Sequence, residues 1–259
     1  MDVWSDLEEL DFQQTVLGDL LLRRRRDPAL PGIELFEVKL GDDFLMSSQF
    51  HASEVALATL GLDRLAQLRP AGQQWQVVVG GLGLGHTAKA ALDDDRVSEL
   101  LVVEYLEPII GWHQRGLVPL GETLCADSRC RFIHSDFFAA AAGGDGFDPQ
   151  TPQRLFDAIL LDIDHAPDNW LGDTSQAFYS AAGLQAMSEH LTDQGVFALW
   201  SNDPPDASFE VPLSAVFEQC EAHRVGFENP YTGQESACTV YVGHRVKSSG
   251  VDRPSRVDQ

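Results

Sequence analysis

The chain is short of cations. Lysine and arginine total 18 against 40 aspartates and glutamates, which gives a formal net charge of −22 at pH 7. Non-specific binding to DNA or RNA needs clustered cations for the phosphates, so this balance argues against a nucleic-acid partner. A negative field suits a cationic ligand instead, because it raises the local concentration of cations. Solubility alone is the other explanation for the charge.

The sequence also lacks long apolar runs and paired cysteines. No run reaches the roughly 18 apolar residues of a membrane helix, and the stretch MDVWSDLEEL has no basic segment followed by an apolar core. We therefore expect no membrane span, no signal peptide and a cytoplasmic protein. Four scattered cysteines, Cys125, Cys130, Cys220 and Cys238, have no nearby partners for a zinc site. We expect free thiols and no metal.

The most informative segment is QVVVGGLGLGHTAKAALDDDRVSELLVVE, residues 76–104. Its first apolar run predicts a strand buried on both faces, and Thr87 is predicted to cap a helix over 87–92. Between them stand four glycines, Gly80, Gly81, Gly83 and Gly85. Glycine is needed where the backbone turns sharply and approaches a ligand closely.

The same segment ends in an acid. Glu104 closes a second apolar strand, about 20 residues beyond the glycines, where it is placed to accept hydrogen bonds from ribose hydroxyls. Together these parts predict a nucleoside-binding βαβ unit. The alternative is a tight strand–helix turn without a ligand, with Glu104 an ordinary solvated residue.

Strands and helices alternate along the rest of the chain. Strands are predicted over 76–80, 100–104, 131–135, 157–163 and 195–201, and helices over 53–68, 87–92, 106–115, 176–191 and 211–223. This alternation is typical of an α/β fold with a doubly wound, mostly parallel Rossmann-like sheet. A C-terminal antiparallel hairpin over 224–243 is expected to follow.

We predict three parts of the chain. Residues 1–50 form a small N-terminal β-hairpin unit, residues 51–246 form the Rossmann-like domain, and residues 247–259 form a disordered tail. The arginine run over 23–26 is expected to be a solvated strand or loop edge.

Acidic residues follow the ends of three predicted strands. Glu104 ends the second, Asp136 follows the third, and Asp162 and Asp164 follow the fourth. Ligands of an open α/β sheet sit beyond the carboxyl ends of its strands, so we expect these side chains to meet at one edge. Each acid taken alone could equally cap a helix or face solvent.

The order GGLGLG, VVE, HSDFF and LLDIDHAP, between a small β unit and an antiparallel hairpin, resembles the spermidine synthase family. These are polyamine aminopropyltransferases built on the class I S-adenosylmethionine-dependent methyltransferase fold. The resemblance covers most of the chain. It implies S-adenosylmethionine or its decarboxylated form as donor, a small-molecule amine as acceptor, no metal, and a possible homodimer.

Position by position, the resemblance also implies roles for residues. The donor would be held by a loop of Gly80, Gly81, Gly83 and Gly85, by Glu104 at the ribose, and by Asp136 with Phe137 at the adenine. Asp162 stands at the place of the family's catalytic aspartate. There it would accept a proton from the attacking amine, or orient that amine as a neutral nucleophile.

Three positions depart from the family pattern. Gly83 stands where the family has an aspartate that holds the amine of the decarboxylated donor, so the use of that donor stays open. His165 stands where the family has a second aspartate; Asp164 or His165 is the candidate substitute, and His165 is otherwise a loop residue. In the segment before the core only Glu54 has a match, and it could equally begin a helix that Ser53 caps.

These observations support several functions. An aminopropyltransferase acting on an amine is favoured by the overall resemblance, by Asp162 and by the acidic balance. A methyltransferase or other alkyl transferase that uses intact S-adenosylmethionine is favoured by Gly83 and the altered aspartate pair. A catalytically weak nucleoside-binding protein is a third alternative. A nicotinamide-dependent dehydrogenase is a fourth, but it leaves the acids after the third and fourth strands without a role.

Overall fold

The structure, a computed structural model, describes residues 7–26, 32–171, 175–229 and 233–246. Its strands are β1 (Leu7–Thr15), β2 (Gly18–Arg26), β3 (Glu34–Leu40), β4 (Asp43–Ser47), β5 (Trp75–Gly80), β6 (Val97–Glu104), β7 (Cys130–His134), β8 (Phe156–Leu161), β9 (Leu191–Ser201), β10 (Phe217–Asn229) and β11 (Gln234–Val246). Its α-helices are α1 (Ala52–Leu68), α2 (His86–Leu92), α3 (Glu107–Gln114), α4 (Gly121–Ala126), α5 (Phe137–Ala142), α6 (Ala181–Ser188) and α7 (Ala207–Val216).

The larger of the two sheets has the strand order β10–β11–β9–β8–β5–β6–β7. Strands β5 to β9 pair in parallel, and β11 runs antiparallel to β9 and β10. Helices α1 to α4 pack on one face and α5 to α7 on the other. The central strands are apolar because both faces are buried: Val77 and Val79 face one core, and Val78 faces the other. The predicted fold class is confirmed.

The order of the strands creates a crevice. After β5 the chain builds β6 and β7 on one side, and it then returns to place β8 on the other side of β5. The connections leave the carboxyl ends of β5 and β8 in opposite directions, and ligands of doubly wound sheets bind at such a switch point. The sequence of elements therefore locates the site before any side chain is considered.

The smaller sheet is N-terminal and antiparallel, in the order β1–β2–β3–β4. It confirms the predicted small N-terminal β unit, in which β1 with β2 and β3 with β4 form antiparallel hairpins. The arginine run lies in a strand, as one form of the prediction had it, but β2 is an inner strand rather than a solvated edge. Arg23 and Arg25 lie in β2 and both donate to the carboxylate of Glu37, at 2.8 and 2.6 Å, and Glu37 is only 2% exposed. Arg24 bonds Glu8 in β1. The arginines therefore tie three strands together.

The helix predicted over 211–223 was wrong in its second half. Helix α7 ends at Val216, and residues 217–229 form β10. Phe217 pairs with Val246, and its buried ring lies against Gly243. A partner strand far along the chain decides this structure, so local composition alone favoured the wrong element.

The helix predicted over 176–191 was too long. A short 3-10 helix, Gln176–Tyr179, is followed by α6, and β9 already begins at Leu191. Ser180 separates the two helices, because its side chain accepts from the N–H of Gly183 and caps α6. Helices α4 and α5 lie in segments for which the sequence predicted no helix.

Three smaller expectations concern the termini, the thiols and membranes. The four cysteines are free, as expected. The predicted tail, residues 247–259, lies outside the described residues. Among the described helices, none has both the length and the apolar composition needed to cross a bilayer.

Replacing Gly243 by alanine tests the assignment of Phe217 to a strand. The added Cβ would lie 2.7 Å from the Phe217 ring, so we expect a loss of about 1–3 kcal/mol in the free energy of unfolding. Gly111 in α3 has nothing within 4 Å of the same position, and Gly111→Ala should be neutral or stabilise by up to about 1 kcal/mol. Urea unfolding compares the two. If Gly243→Ala and Gly111→Ala changed the free energy of unfolding equally, the ring of Phe217 would not lie against Gly243.

Candidate active site

A cavity of about 590 Å³ opens at the carboxyl edge of the larger sheet. Its walls are the loops after β5, β6, β7, β8 and β9, the first turn of α1, and part of the N-terminal sheet. All the predicted site residues except Gly80 line it: Gly81, Gly83, Gly85, Glu104, Asp136, Phe137, Asp162, Asp164 and His165. The structure therefore brings together residues that are up to 84 positions apart in the sequence (81 to 165).

The glycine loop joins β5 to α2 and needs two of its glycines for space. Gly81 has φ +92°, and a Cβ there would overlap the backbone carbonyl of Asp162. Gly85 also has φ +92°, and its Cβ would lie 2.6 Å from a methyl carbon of Leu124. Residues with side chains rarely adopt this left-handed backbone, so the loop can take its close path only with glycine. Gly80 lies beneath the loop, against the ring of Phe137.

Glu104 fixes the glycine loop from below. One of its oxygens accepts from the N–H of Leu82 at 3.0 Å, and the other accepts from the N–H of Leu106 at 2.8 Å. The side chain is buried, and burial raises its pKa although backbone hydrogen bonds oppose that rise. These bonds hold the carboxylate against the backbone of the loop, at the edge of the cavity.

Asp136 and Phe137 have different surroundings. The carboxylate of Asp136 caps α5 by accepting from the N–H groups of Phe138 and Ala139, at 2.8 and 3.2 Å. Phe137 is 2% exposed, and its ring stacks on Phe147 at a centroid distance of 4.9 Å. Phe137 is thus mainly a core residue, whereas Phe138 beside it is half-buried and also lines the cavity.

Asp162 follows β8 directly and faces the cavity. Its carboxylate accepts from the hydroxyl of Thr87 at 2.6 Å. The prediction that Thr87 caps α2 was wrong, because the N-cap is Gly85 and the Thr87 side chain turns to Asp162 instead. Burial and the nearby charge of Glu54 raise the pKa of Asp162 to about 7. The group is therefore poised to exchange a proton near neutral pH.

Glu54 reaches the cavity from the first turn of α1. Its carboxylate accepts from the hydroxyl of Ser53 at 2.8 Å, and burial raises its pKa. The expectation that Ser53 caps this helix was wrong. The N-cap position is His51, which makes no side-chain cap bond, and Ser53 lies inside the helix. The sequence identified Glu54 through the family resemblance, and the structure adds that Glu54 lines the same cavity as Asp162.

The carboxylate of Asp164 accepts hydrogen bonds from other groups of the protein. The residue is 2% exposed; one oxygen accepts from the N–H of Leu171 at 2.8 Å, and the other accepts from the hydroxyl of Tyr179 at 2.8 Å. These bonds hold the loop after β8 in place. His165 lines the cavity, and its backbone carbonyl accepts from the N–H of Asn202 at 2.8 Å.

Several cavity residues had no site role in the sequence prediction. The N-terminal sheet contributes an apolar wall that includes Leu17, Phe44 and Met46. His86 stacks on His51 at 4.4 Å, and burial together with neighbouring histidines lowers the pKa of His86 to about 4. No local motif marks these contacts, since they arise only when the small sheet folds over the large one.

Carboxyl groups outnumber every other kind of ionisable side chain in the cavity. Five carboxyl side chains line it: Glu54, Glu104, Asp136, Asp162 and Asp164. Neither lysine nor arginine occurs among the described residues that line it. Buried carboxyl groups without cationic partners favour protonation or a bound cation. The geometry therefore suits a cationic ligand.

Comparison with solved structures places the fold in a known group. A spermidine synthase in complex with the transition state analogue AdoDATO has 17% identity and a TM-score of 0.67, over 92% of this chain and 73% of that one. The spermidine synthase from Thermotoga maritima has 16% identity and a TM-score of 0.65, over 92% of this chain and 72% of that one. A probable spermidine synthase from Corynebacterium glutamicum has 14% identity and a TM-score of 0.61, over 92% of this chain and 79% of that one.

A methyltransferase is also similar. Human methyltransferase-like protein 13, in complex with SAH, has 19% identity and a TM-score of 0.51, over 79% of this chain and 86% of that one. No protein-family model and no curated protein sequence matches the chain. The predicted resemblance to spermidine synthases is thus confirmed for the fold.

Replacing Glu104 by glutamine tests its role in the glycine loop. An amide keeps only one acceptor oxygen, so one of the two N–H groups loses its partner. We expect a loss of about 1–3 kcal/mol in the free energy of unfolding and weaker binding of an adenosyl ligand. The matched control is Glu107→Gln, an exposed acid at the start of α3. Unfolding and calorimetry that fail to separate the two variants would make Glu104 an ordinary strand end.

Proposed function

We propose that the protein transfers an aminopropyl group from decarboxylated S-adenosylmethionine to a small-molecule amine. The observation that carries this proposal is the composition of the cavity. A glycine loop held by Glu104 and several carboxyl groups line it, and the described lining residues include neither lysine nor arginine. Both proposed substrates are cations, so the field of the cavity attracts them.

The donor fits the half of the cavity formed by β5, β6 and β7. The glycine loop leaves room for a ligand close to the backbone, because glycines stand where side chains would intrude. Glu104 lines this half of the cavity, where it is proposed to accept from the ribose hydroxyls. Asp136 is placed to accept from the adenine amino group, and Phe138 is a better-placed apolar neighbour for the base than the core residue Phe137.

The decarboxylated form is favoured over the intact one by charge. The carboxylate of intact S-adenosylmethionine would enter a cavity lined by five carboxyl groups, with no described lysine or arginine to receive it. Gly83 does not carry the family's aspartate, and the sulfur of Met46 lies 3.0 Å from where its Cβ would stand. In place of that aspartate, Glu54 in the first turn of α1 supplies a carboxyl group to the cavity.

Asp162 is proposed as the proton acceptor. An ammonium has no lone pair, so the acceptor amine must lose a proton before its nitrogen can attack the carbon next to the sulfonium. The new C–N bond forms as the C–S bond breaks, and the electron pair of that bond neutralises the sulfur, which leaves methylthioadenosine. The proton passes to Asp162 and then to solvent. Alignment of the two substrates supplies the rest of the catalysis.

Methyl transfer from intact S-adenosylmethionine is the second candidate. Gly83 and the similar methyltransferase solved with SAH favour it. Calorimetry with four ligands separates the candidates: S-adenosylmethionine, its decarboxylated form, methylthioadenosine and S-adenosylhomocysteine. Aminopropyl transfer requires tighter binding of the decarboxylated donor and of methylthioadenosine. Tighter binding of the intact donor and of S-adenosylhomocysteine would favour methyl transfer instead.

Replacing Gly83 by aspartate tests how the donor is selected. Aspartate tolerates the left-handed backbone at φ +48°, and Met46 can move the end of its flexible side chain. The new carboxylate should raise the ratio of affinities for decarboxylated over intact donor by about 10-fold or more. Gly83→Asn is the control with the same shape and no charge. If both variants changed the two affinities alike, the tail of the donor would lie elsewhere.

Replacing Asp162 by asparagine tests the proton transfer. An amide cannot take the proton, so turnover should fall about 10²–10⁴-fold while methylthioadenosine still binds. Because the pKa of Asp162 is raised to about 7, wild-type kcat/KM should rise with pH through about 7, and the variant should lose this rise. Near-normal turnover in Asp162→Asn would remove the residue from the mechanism.

Stability provides the control for that variant. The pKa of Asp162 is higher in the folded protein than its ordinary value of 3.8, so folding favours the protonated form. This stabilisation is fully present below pH 3.8 and is lost as the pH rises through about 7. Asp162→Asn should therefore be at least as stable as the wild type at pH 8, which thermal unfolding can measure.

A further inference from the structure

Glu54 and Asp162 come from distant parts of the chain and meet in the cavity. Glu54 stands on α1 and Asp162 follows β8. Thr87 on α2 connects them, since its hydroxyl donates to Asp162 at 2.6 Å and lies 3.4 Å from the backbone carbonyl of Glu54. Burial, and after it the charge of Glu54, raises the pKa of Asp162. Glu54 and Asp162, which line the same cavity and both contact Thr87, are called the carboxyl pair below.

No described lysine or arginine lines the cavity beside the pair. The titratable neighbours on the surrounding elements are His51 and His86, Asp164 and His165, and Cys238 of β11. Burial lowers the pKa of His86 to about 4 and raises that of the Cys238 thiol, so both are neutral at pH 7. Asp164 is held by its own hydrogen bonds. Neither lysine nor arginine occurs among the described cavity residues.

Two neighbouring, half-buried carboxyl groups are harder to ionise together than singly when no cation stands near them. We infer that Glu54 and Asp162 share one proton in the free protein, and that the ammonium of the acceptor amine displaces this proton and binds between the two carboxylates. The inference rests on the proposed function, because it assigns the acceptor end of the same cavity. Under this inference Glu54 supplies the second carboxylate. His165, which stands at the family's second aspartate position after β8, has no carboxylate to supply.

The protons balance through the reaction. Binding of the ammonium sends one proton to solvent and leaves both carboxylates ionised. An ammonium has three N–H donors, enough to serve both groups. When the amine is activated, its proton passes to Asp162, so the pair again holds one proton while the neutral nitrogen attacks. Glu54 thus binds the substrate and also returns the pair to its starting charge.

Calorimetry of amine binding tests this inference. The probe is 1,4-diaminobutane, titrated at pH 7 into the full-length protein saturated with methylthioadenosine, in phosphate and in Tris. The difference in heat between these buffers gives the protons released. We expect about half a proton per amine bound in the wild type, because a group with a pKa of about 7 is half protonated at pH 7. In Glu54→Gln the release should fall close to zero and the affinity should fall about 10-fold or more.

The matched control is Glu210→Gln, an exposed glutamate in the first turn of α7, which should behave as the wild type does. Unchanged affinity for methylthioadenosine in Glu54→Gln would show that the variant is folded. Amine binding without proton release in the wild type, or the same release in Glu54→Gln, would overturn the inference. So would a failure of the diamine to bind.

A second measurement needs no ligand. The carboxyl carbon of Asp162 is titrated by NMR in the wild type and in Glu54→Gln. Removal of the neighbouring charge should shift the titration of Asp162 to lower pH, and an unchanged midpoint would overturn the shared proton. If methylthioadenosine failed to bind the wild type, the proposed function would fail while this titration still decided whether the pair exists.

Discussion

The structure depends on the close approach of the glycine loop to the end of β8. The N–H of Gly81 donates to the carbonyl of Val103, and the N–H of Asp162 donates to the carbonyl of Gly80, at 2.9 and 2.8 Å. No side chain fits at Gly81, so the loop lies directly against the backbone of Asp162. One backbone constraint thus sets the proposed donor loop beside the proposed proton acceptor.

The sequence predicted the parts of the fold that depend on local pattern. Apolar runs buried on both faces predict parallel strands, and the acids after them predict an edge where Glu104, Asp136 and Asp162 gather. It could not predict pairings between distant segments. Phe217 is in a strand because Val246 is beside it, and Glu54 lines the same cavity as Asp162 because α1 packs across the sheet. Roles that follow from contacts of this kind need the folded structure.

The cavity separates what the fold provides from what this chain adds. The similar spermidine synthases share the fold at 14–17% identity, which leaves the chemistry of the site to its own residues. Here Gly83 lacks a carboxylate, Asp164 is bound to Tyr179, and the acidic groups left to meet an amine are Glu54 and Asp162.

The products of the reaction test the central claim most directly. The purified protein would be incubated with decarboxylated or intact S-adenosylmethionine, each with a mixture of small diamines, and the products identified by mass spectrometry. Aminopropyl transfer predicts methylthioadenosine and an aminopropylated amine in equal amounts, from the decarboxylated donor only. Formation of S-adenosylhomocysteine with a methylated acceptor, and no aminopropylated amine, would contradict the account.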